Sequence, residues 1–398
     1  MPDKAEAIVV GGGPTGLMAA LALASGGVPT VLIGRKPSDN RTTALLASSV
    51  TALETLGVWD ACRAQAGLLR TMRIVDDTGR LWRAPEVAFN ADEIGLEAFA
   101  YNIENRHLIA ALEHRAEALP LLRMLDDDVL GLRVASDHVL VETSQAGALE
   151  APLIVGADGR RSLCREAALI DTTERRTPQA ALTVSFGHTR PHNDTSTEFH
   201  TVTGQFTLVP LPGNRSSLVW VLSPGEAEEK SQLDDASLSE DIEKASHSIL
   251  GKIAVEPGRG LFPLSVIGAE RFAANRIALV GEAAHIIPPV GAQGLNLGLR
   301  DAAAIAELAA AAWRAGRDIG ADDLLVRYDR MRRADVGSRT LAADLLNRSL
   351  LTGFLPVQGL RGLGLYALDQ IGPLRRAIMR EGVAPRASQP KLMRGMGL

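Results

Sequence analysis

Residues 281 to 301 place Gly281, Glu282, Gly291, Gly294, Leu295 and Asn296 in one Gly- and Pro-rich turn. It follows the apolar run Ile277 to Val280 and leads into an Ala-rich helix. Such a turn presents unsatisfied backbone N–H groups at a helix N-terminus, where electron-rich ligands are favoured. The chain opens with the same device. After Ala7 to Val10 comes Gly11-Gly12-Gly13-Pro14-Thr15-Gly16, and then a helix over Leu17 to Ala24. Gly11 permits the tight turn, Gly13 lets backbone approach a pyrophosphate, and Gly16 lets helix and strand pack closely. Two strand–turn–helix anion sites in one chain predict one long ligand gripped at both ends. A third turn, Gly156-Ala157-Asp158-Gly159-Arg160-Arg161-Ser162, follows the short apolar strand Leu153 to Val155. Asp158 is placed to cap the helix that follows, and the arginines beyond it can steer a phosphorylated ligand.

Other charged positions are less regular. A carboxylate at the end of the second strand would hydrogen-bond a ribose hydroxyl, but Val31-Leu32-Ile33 runs into Gly34. Arg35, the next residue, could cover an adenine or reach a phosphate instead. Arg41 lies just ahead of a helix expected over Thr43 to Leu56 and could reach a pyrophosphate. Arg106 begins a helix, an unfavourable place for a cation, which hints at a bound anion. Arg41 also reads as a solvated surface residue. The two cysteines, Cys62 and Cys164, have no metal-ligand spacing and read as packed thiols.

These motifs need a βαβ start, and the pattern supplies one. Val28 to Ile33 is a second strand after the Gly26-Gly27 stop. Leu69 to Asp76 and Leu81 to Phe89 read as a hairpin turned at Asp77-Thr78-Gly79. Asn105 to Leu119 has helical periodicity, with Leu108, Ile109 and Leu112 on one face. Val129 to Ala135 and Val139 to Thr143 read as strands. From Ala181 to Leu222 the alternation is β-like, with turns at Arg190 to Asp194 and Leu211 to Asn214. Glu226 to Leu250 is polar and helical. Ala302 to Trp313, Asp322 to Asn347 and Leu360 to Arg380 are three further helical segments. The expected architecture is α/β: a Rossmann-like nucleotide-binding domain with an inserted antiparallel β-sheet domain and C-terminal helices. Its expected divisions are 1–175 (with an internal hairpin in 69–100), 176–270, 271–320 and 321–398.

Composition bounds the function. The 398 residues carry 42 basic and 47 acidic side chains and 46% hydrophobic residues, enough for a sizeable core and no reason to expect nucleic acid. Aromatic residues at 4% also argue against base-stacking platforms. No secretory leader and no apolar run of about 18 residues stands out, so a cytoplasmic protein is expected.

The three turns, in this order and spacing, resemble the single-component flavin-dependent aromatic hydroxylases of the p-hydroxybenzoate hydroxylase fold. The resemblance spans nearly the whole chain. Gly11 to Gly16 is similar to the first FAD motif, Gly156 to Ser162 to the Asp-Gly motif, and Gly281 to Asn296 to the Gly-Asp motif with its Pro-Pro-x-Gly-Ala-x-Gly-Leu-Asn-Leu continuation. Glu282 departs from the usual Asp but remains an acceptor for a ribityl hydroxyl. Thr42-Thr43-Ala44-Leu45, Leu56-Gly57-Val58-Trp59, Val209-Pro210-Leu211-Pro212, Gly294 to Asp301 and Gly359-Leu360-Arg361 resemble the ubiquinone-biosynthesis hydroxylases within that family.

The resemblance implies FAD as cofactor, NAD(P)H as reductant, and hydroxylation of a phenolic ring by O2. It places the pyrophosphate on Gly11, Gly13, Pro14, Thr15 and Gly16. Arg35, Arg41, Arg106, Asp158, Gly159, Gly281 and Glu282 join the cofactor site. The isoalloxazine meets Pro289, Gly291, Gly294, Leu295 and Asn296. The cofactor carries the chemistry, so no protein nucleophile is assigned. The three tyrosines, Tyr101, Tyr328 and Tyr366, all lie outside the inserted sheet, which excludes a tyrosine relay there. A free histidine has a pKa near neutrality, which makes His285 a candidate base, yet its place inside the buried turn reads as structural. Pro288, Pro289 and strand residues near Val209 are expected to line the substrate cavity.

A polyprenylated ubiquinone precursor is the expected substrate. Residues 361–398 carry seven basic and two acidic residues. With Leu360, Leu363, Leu365, Leu368 and Ile371 they suit a peripheral contact with an anionic inner membrane; packing on the nucleotide-binding domain is the alternative. Other readings are a soluble-phenol hydroxylase, a reductase or halogenase of this fold, and a flavin-poor accessory protein.

Overall fold

A computed structural model describes residues 2–36, 39–79, 85–288, 291–351, 371–383 and 389–398. Its centre is a six-stranded sheet in the order Ala273–Ala274, Ile277–Leu279, Leu153–Gly156, Ala7–Val10, Thr30–Ile33 and Leu122–Leu125. All neighbours are parallel except the first pair. Ala7–Val10 is buried on both faces, which is why it reads as a continuous apolar run rather than an alternating one. Helix Pro14–Ser25 follows it with Pro at its start, where the missing N–H costs nothing. That helix packs beside the long helix Gln293–Arg314. Both belong to one large core with the parallel sheet.

The inserted region is a nine-stranded sheet. Its main path runs His285–Ile286, Gly260–Ala269, Thr172–His188, Arg215–Leu222, Gln205–Leu211, Thr195–His200, Thr71–Asp76 and Val87–Asn90. One face carries Leu182, Val184, Phe186, Leu218 and Trp220 into a second core. The opposite face turns toward the nucleotide-binding half. A small sheet of Thr42–Leu46, Ala100–Glu104 and Ala66–Leu69 bridges the two.

Three sequence expectations need correction. Thr43 to Leu56 is not all helix: Thr42–Leu46 is a strand and the helix is Ala47–Thr55. Strand pairing with Ala100–Glu104 and the bond from Thr43 Oγ1 to Asn105 override helical continuation. Glu226 to Leu250 holds two helices, Pro224–Ser231 and Asp235–Ala245. Ser223 and Asp234 each start one by accepting a backbone N–H three residues on. The strand Thr71–Asp76 does pair antiparallel with Val87–Asn90, and it also pairs parallel with Thr195–His200. The hairpin is thus the edge of the nine-stranded sheet rather than a feature inside the nucleotide-binding half. Residues 80–84 and 352–370, including the leucines 360, 363, 365 and 368, lie outside the described residues. Among those described, no helix is long and apolar enough to cross a membrane.

Candidate active site

The glycines of the first turn divide by what surrounds them. A Cβ at Gly16 would sit 1.9 Å from the Gly11 carbonyl oxygen. At Gly11, where φ is +122°, it would sit 2.2 Å from the carbonyl oxygen of Ala157. These positions are closed by the protein itself. Gly13 has nothing within 4 Å of its missing Cβ, so its open side faces the space over the start of helix Pro14–Ser25. No side chain caps that helix, and its first N–H groups are free for an anion.

Thr15 joins this turn to the second one. A Cβ at Gly281 would meet Thr15 at 3.1 Å, and one at Gly298 would meet Thr15 Oγ1 at 2.8 Å. Both helix N-termini therefore open toward one crevice at the carboxyl ends of the parallel strands, where ligands of such sheets bind. Gly291 has φ of +62°, and Gly294 has no neighbour within 4 Å of its missing Cβ. Leu295 lies in the first turn of Gln293–Arg314, a helix with no side-chain cap. Asn296 is buried and stitches this turn to the bridging sheet. Its Oδ1 accepts the Leu46 N–H at 2.9 Å, and its Nδ2 donates to Ala44 O at 2.8 Å. Pro289 lies outside the described residues.

The Asp-Gly turn is tied in by side chains. Asp158 accepts from Ser162 Oγ at 2.5 Å and from the Cys164 N–H at 3.0 Å, while Ser162 itself caps helix Leu163–Ala167 through the Arg165 N–H. Asp158 and Ser162 thus share the cap, Asp158 taking the Cys164 N–H and Ser162 the Arg165 N–H. Gly159 has φ of +75°, in the left-handed region. Arg165 donates to Ala283 O at 2.9 Å, linking this turn to Gly281 and Glu282.

The three arginines differ. Arg41 forks onto Asp39 with two bonds of 2.8 Å, lies over the Phe262 ring, and shares a cavity wall with Glu282. Arg35 is bonded to Asp128 at 3.0 and 3.1 Å, and Arg106 to Glu104 at 2.9 Å. Neither of these two lines the cavity that Arg41 shares with Glu282. Gly34 is explained by contact: a Cβ there would lie 2.3 Å from the Gly12 nitrogen. The first turn occupies the place from which a ribose-binding carboxylate would grow.

Behind the Gly281 turn lies a buried ion network. Asp301, fully buried, accepts from the Gly281 N–H at 3.0 Å, pairs with His285 Nε2 at 2.6 Å, and accepts from Arg332 Nε at 2.6 Å. Burial pushes the Asp301 carboxyl up, but Arg332 and His285 outweigh it and hold it below its usual value. Asp335 gathers Arg300, Arg332 and Arg339. Arg339 reaches Gln293, which bonds Gly291 O at 3.1 Å. Helix Asp322–Leu351 therefore braces both ends of the turn. His285 is stacked on Phe272 and paired to Asp301 within this network. Sequence reasoning missed Arg332 and Asp335, because nothing in their own helix marks them as facing a turn far away in the chain.

A cavity of about 350 Å³ lies between Glu282, Ile286 and Ile287 on one side and Thr183, Ser185 and Ser217 of the large sheet on the other. Pro288 and Val209 are not among its lining residues. Val209 lies on the same sheet face, beside Ser217 in register, but packs against Leu46, Leu69 and Ala100 of the bridging sheet. The missed signal was the alternation in Thr183-Val184-Ser185-Phe186: small hydroxyls on one face, core side chains on the other.

A family profile described as "FAD binding domain" matches residues 4–343. The ubiquinone hydroxylase UbiL of Rhodospirillum rubrum is 35% identical, over 100% of this chain and 94% of its own length. The 3-demethoxyubiquinol 3-hydroxylase of Escherichia coli is 31% identical, over 94% of this chain and 97% of its own. Among solved structures, p-nitrophenol 4-monooxygenase PnpA of Pseudomonas putida superposes with a TM-score of 0.79 at 20% identity, covering 97% of this chain and 100% of that one. HpxO of Klebsiella pneumoniae, complexed with FAD and uric acid, gives 0.76 at 20% identity, covering 97% of both chains. At these identities the structural likeness establishes a shared fold.

Proposed function

We propose, from the premise that this chain belongs to the FAD-binding-domain family of class A flavin monooxygenases and is an FAD-dependent aromatic-ring hydroxylase of the ubiquinone-biosynthesis type, that it hydroxylates a polyprenylated phenol with NAD(P)H and O2. The observation that carries this reading is the convergence of two uncapped helix N-termini on one crevice, through Thr15, beside a cavity with a hydroxyl-bearing wall. The residues fit the cofactor: Gly13 leaves room for a pyrophosphate where Gly11 and Gly16 are closed by protein.

Bound FAD supplies the redox chemistry, taking electrons from NAD(P)H and passing them to oxygen. The chain's part is binding, orientation and exclusion of water. The Thr15 and Gly16 N–H groups hold the pyrophosphate, with Gly11, Gly13 and Pro14 shaping the turn. Glu282 and Arg41 would hold the ribityl chain, with Gly281, Asp158 and Gly159 completing that part of the site. Gly291, Gly294, Leu295 and Asn296, together with Pro289, shape the isoalloxazine seat, where a helix N-terminus favours negative charge on reduced flavin. Arg35 and Arg106 would join only by leaving Asp128 and Glu104. Residues 1–175 and 271–320 form the FAD half in this reading, 176–270 the substrate sheet, and 321–398 the C-terminal helices.

The test is spectral and then catalytic. Purified protein is expected to bind one FAD and to couple NAD(P)H oxidation to hydroxylation of a 2-prenylphenol in mixed micelles. Failure to bind added FAD would remove the reading. Efficient turnover of soluble hydroxybenzoates, with none of the prenylated phenol, would move it to a soluble-phenol hydroxylase.

The substrate would arrive from a bilayer. Helix Gly372–Val383 docks through Arg375, paired with Glu93 at 2.7 Å and lying over Phe89, and through buried Met379. Around this docked stripe it exposes Leu374 and Ile378 on one flank and Arg376 and Arg380 on the other, with Ile371 exposed just before it. We assign this exposed surface to an anionic membrane. Leu374→Asp with Ile378→Asp is expected to cut flotation with phosphatidylglycerol vesicles by at least about tenfold, since two apolar side chains leave the interface. Flotation unchanged in a variant that keeps its FAD would count against the assignment.

A further inference from the structure

We infer that Ser217 is the substrate-orienting hydrogen-bond donor of this hydroxylase, directing its hydroxyl proton at the ring oxygen of the phenol. The inference rests on the phenolic-substrate reading above and adds the residue that recognises the phenol.

Ser217 lies on strand Arg215–Leu222, on the face opposite Leu218 and Trp220. It is 3% exposed and lines the cavity. Its oxygen is already used twice from the bridging sheet. Thr42 Oγ1 donates to Ser217 Oγ at 2.9 Å, and Asn102 Nδ2 donates to it at 3.0 Å. Asn102 is itself fixed by a bond to Pro210 O at 3.0 Å. A hydroxyl oxygen has two lone pairs and one proton. With both lone pairs occupied, the proton is the part left over, and no acceptor for it is found among the described residues. A buried donor without a partner is uncommon in a folded protein. Ser217 lines the cavity, so a ligand there can take the donation left over, and Thr42 and Asn102 hold the oxygen that makes it.

The surroundings define what accepts this proton. Ser185 stands directly across from Ser217 in the strand register, and Thr183 lies farther along the same face. This wall is uncharged. The cations nearest the cavity are already satisfied: Arg41 by Asp39, and Arg160 by Glu174 and Ser265. A neutral donor among small hydroxyls fits a single ring oxygen. Ile286 and Ile287 on the facing wall fit the ring itself.

The test compares two probes on the FAD-loaded protein: 2-geranylphenol, and geranylbenzene, which is the same molecule without the oxygen. Binding is read from perturbation of the flavin spectrum. The native protein is expected to prefer the phenol. Ser217→Ala should weaken phenol binding by about tenfold, the worth of one good neutral hydrogen bond, and leave geranylbenzene unchanged. Ser217→Thr, which keeps the hydroxyl, should restore the preference. An unchanged preference in Ser217→Ala overturns the inference, as does equal weakening of both probes, or a loss of FAD affinity that shows the hydroxyl serving the cofactor. A native protein that binds FAD but neither probe overturns both this inference and the substrate class. Native binding of the phenol with no effect of Ser217→Ala overturns this inference alone.

Discussion

Gly16→Ala is expected to strip the protein of FAD. Elsewhere in a helix, exchanging Gly for Ala stabilises by roughly 0.5–1 kcal/mol. Here the added Cβ would sit 1.9 Å from the carbonyl oxygen of Gly11. The obstacle is backbone, so no side chain can swing aside, and overpacking of this kind costs about 1–3 kcal/mol or more. Relief requires helix Pro14–Ser25 to lift from the turn that holds the pyrophosphate. FAD affinity should fall at least roughly 100-fold, about 2.7 kcal/mol. Gly13→Ala is the informative companion, because its Cβ meets no protein atom within 4 Å. That variant should keep the native melting temperature and still lose FAD, since only the ligand occupies the space. Titration of the apoprotein with FAD, with melting followed in parallel, checks both. A Gly16→Ala protein that retains one tightly bound FAD would refute the account of the turn.

The second large effect is expected at Arg332. Its side chain is 1% exposed, and its Nε–H is 2.6 Å from Asp301, itself completely buried. Arg332→Met leaves the Asp301 charge in the interior with only His285 and the Gly281 N–H facing it. Breaking a buried pair in this way costs about 3–5 kcal/mol. Replacing both partners with apolar residues should cost less than the sum of the single changes. Urea unfolding of the two single variants and the double variant measures this. Equal, additive losses would mean that the pair is not coupled.

The sign of the pH dependence follows from the same network. The carboxyls of Asp301 and Asp335 face the arginines across a buried space. Burial alone would raise both, but the arginines hold them below the ordinary carboxylate value. Their stabilisation is therefore present above an unfolded pKa of about 3.9 and is lost as the pH falls below it. Arg332→Met should flatten the acid limb of the stability curve relative to the native protein.

These two sites show how unevenly the chain discloses itself. The glycines of the first turn were legible because backbone geometry is a local demand: a positive φ or a close approach selects Gly whatever the rest of the chain does. The strand–turn–helix order around them was legible for the same reason, and so were Asp158, Glu282 and Asn296 as members of three recurrent turns. The boundary at Thr42–Leu46 was not. Those residues are strand because Ala100–Glu104 offers a partner more than fifty positions away, and pairing at that distance leaves no periodic trace. Arg35 was read from its place after the second strand and Arg106 from its place at a helix start, yet Arg35 is held by Asp128, an acid the fold brings to it, and Arg106 by Glu104, two residues before it.

Family, FAD and reaction class are legible in the chain's own motifs, since these rest on turns whose residue types answer to local backbone geometry and to the shape of the ligand. Tertiary structure alone decided that Thr15 joins the two turns, that Asp301 and Arg332 brace the second from behind, and that Ser217 rather than Val209 faces the cavity. Val209 and Ser217 are register partners on one sheet face. They differ only in that three other strands cover Val209 and leave Ser217 at the edge of that cover, a fact about contacts between distant segments that no local pattern encodes.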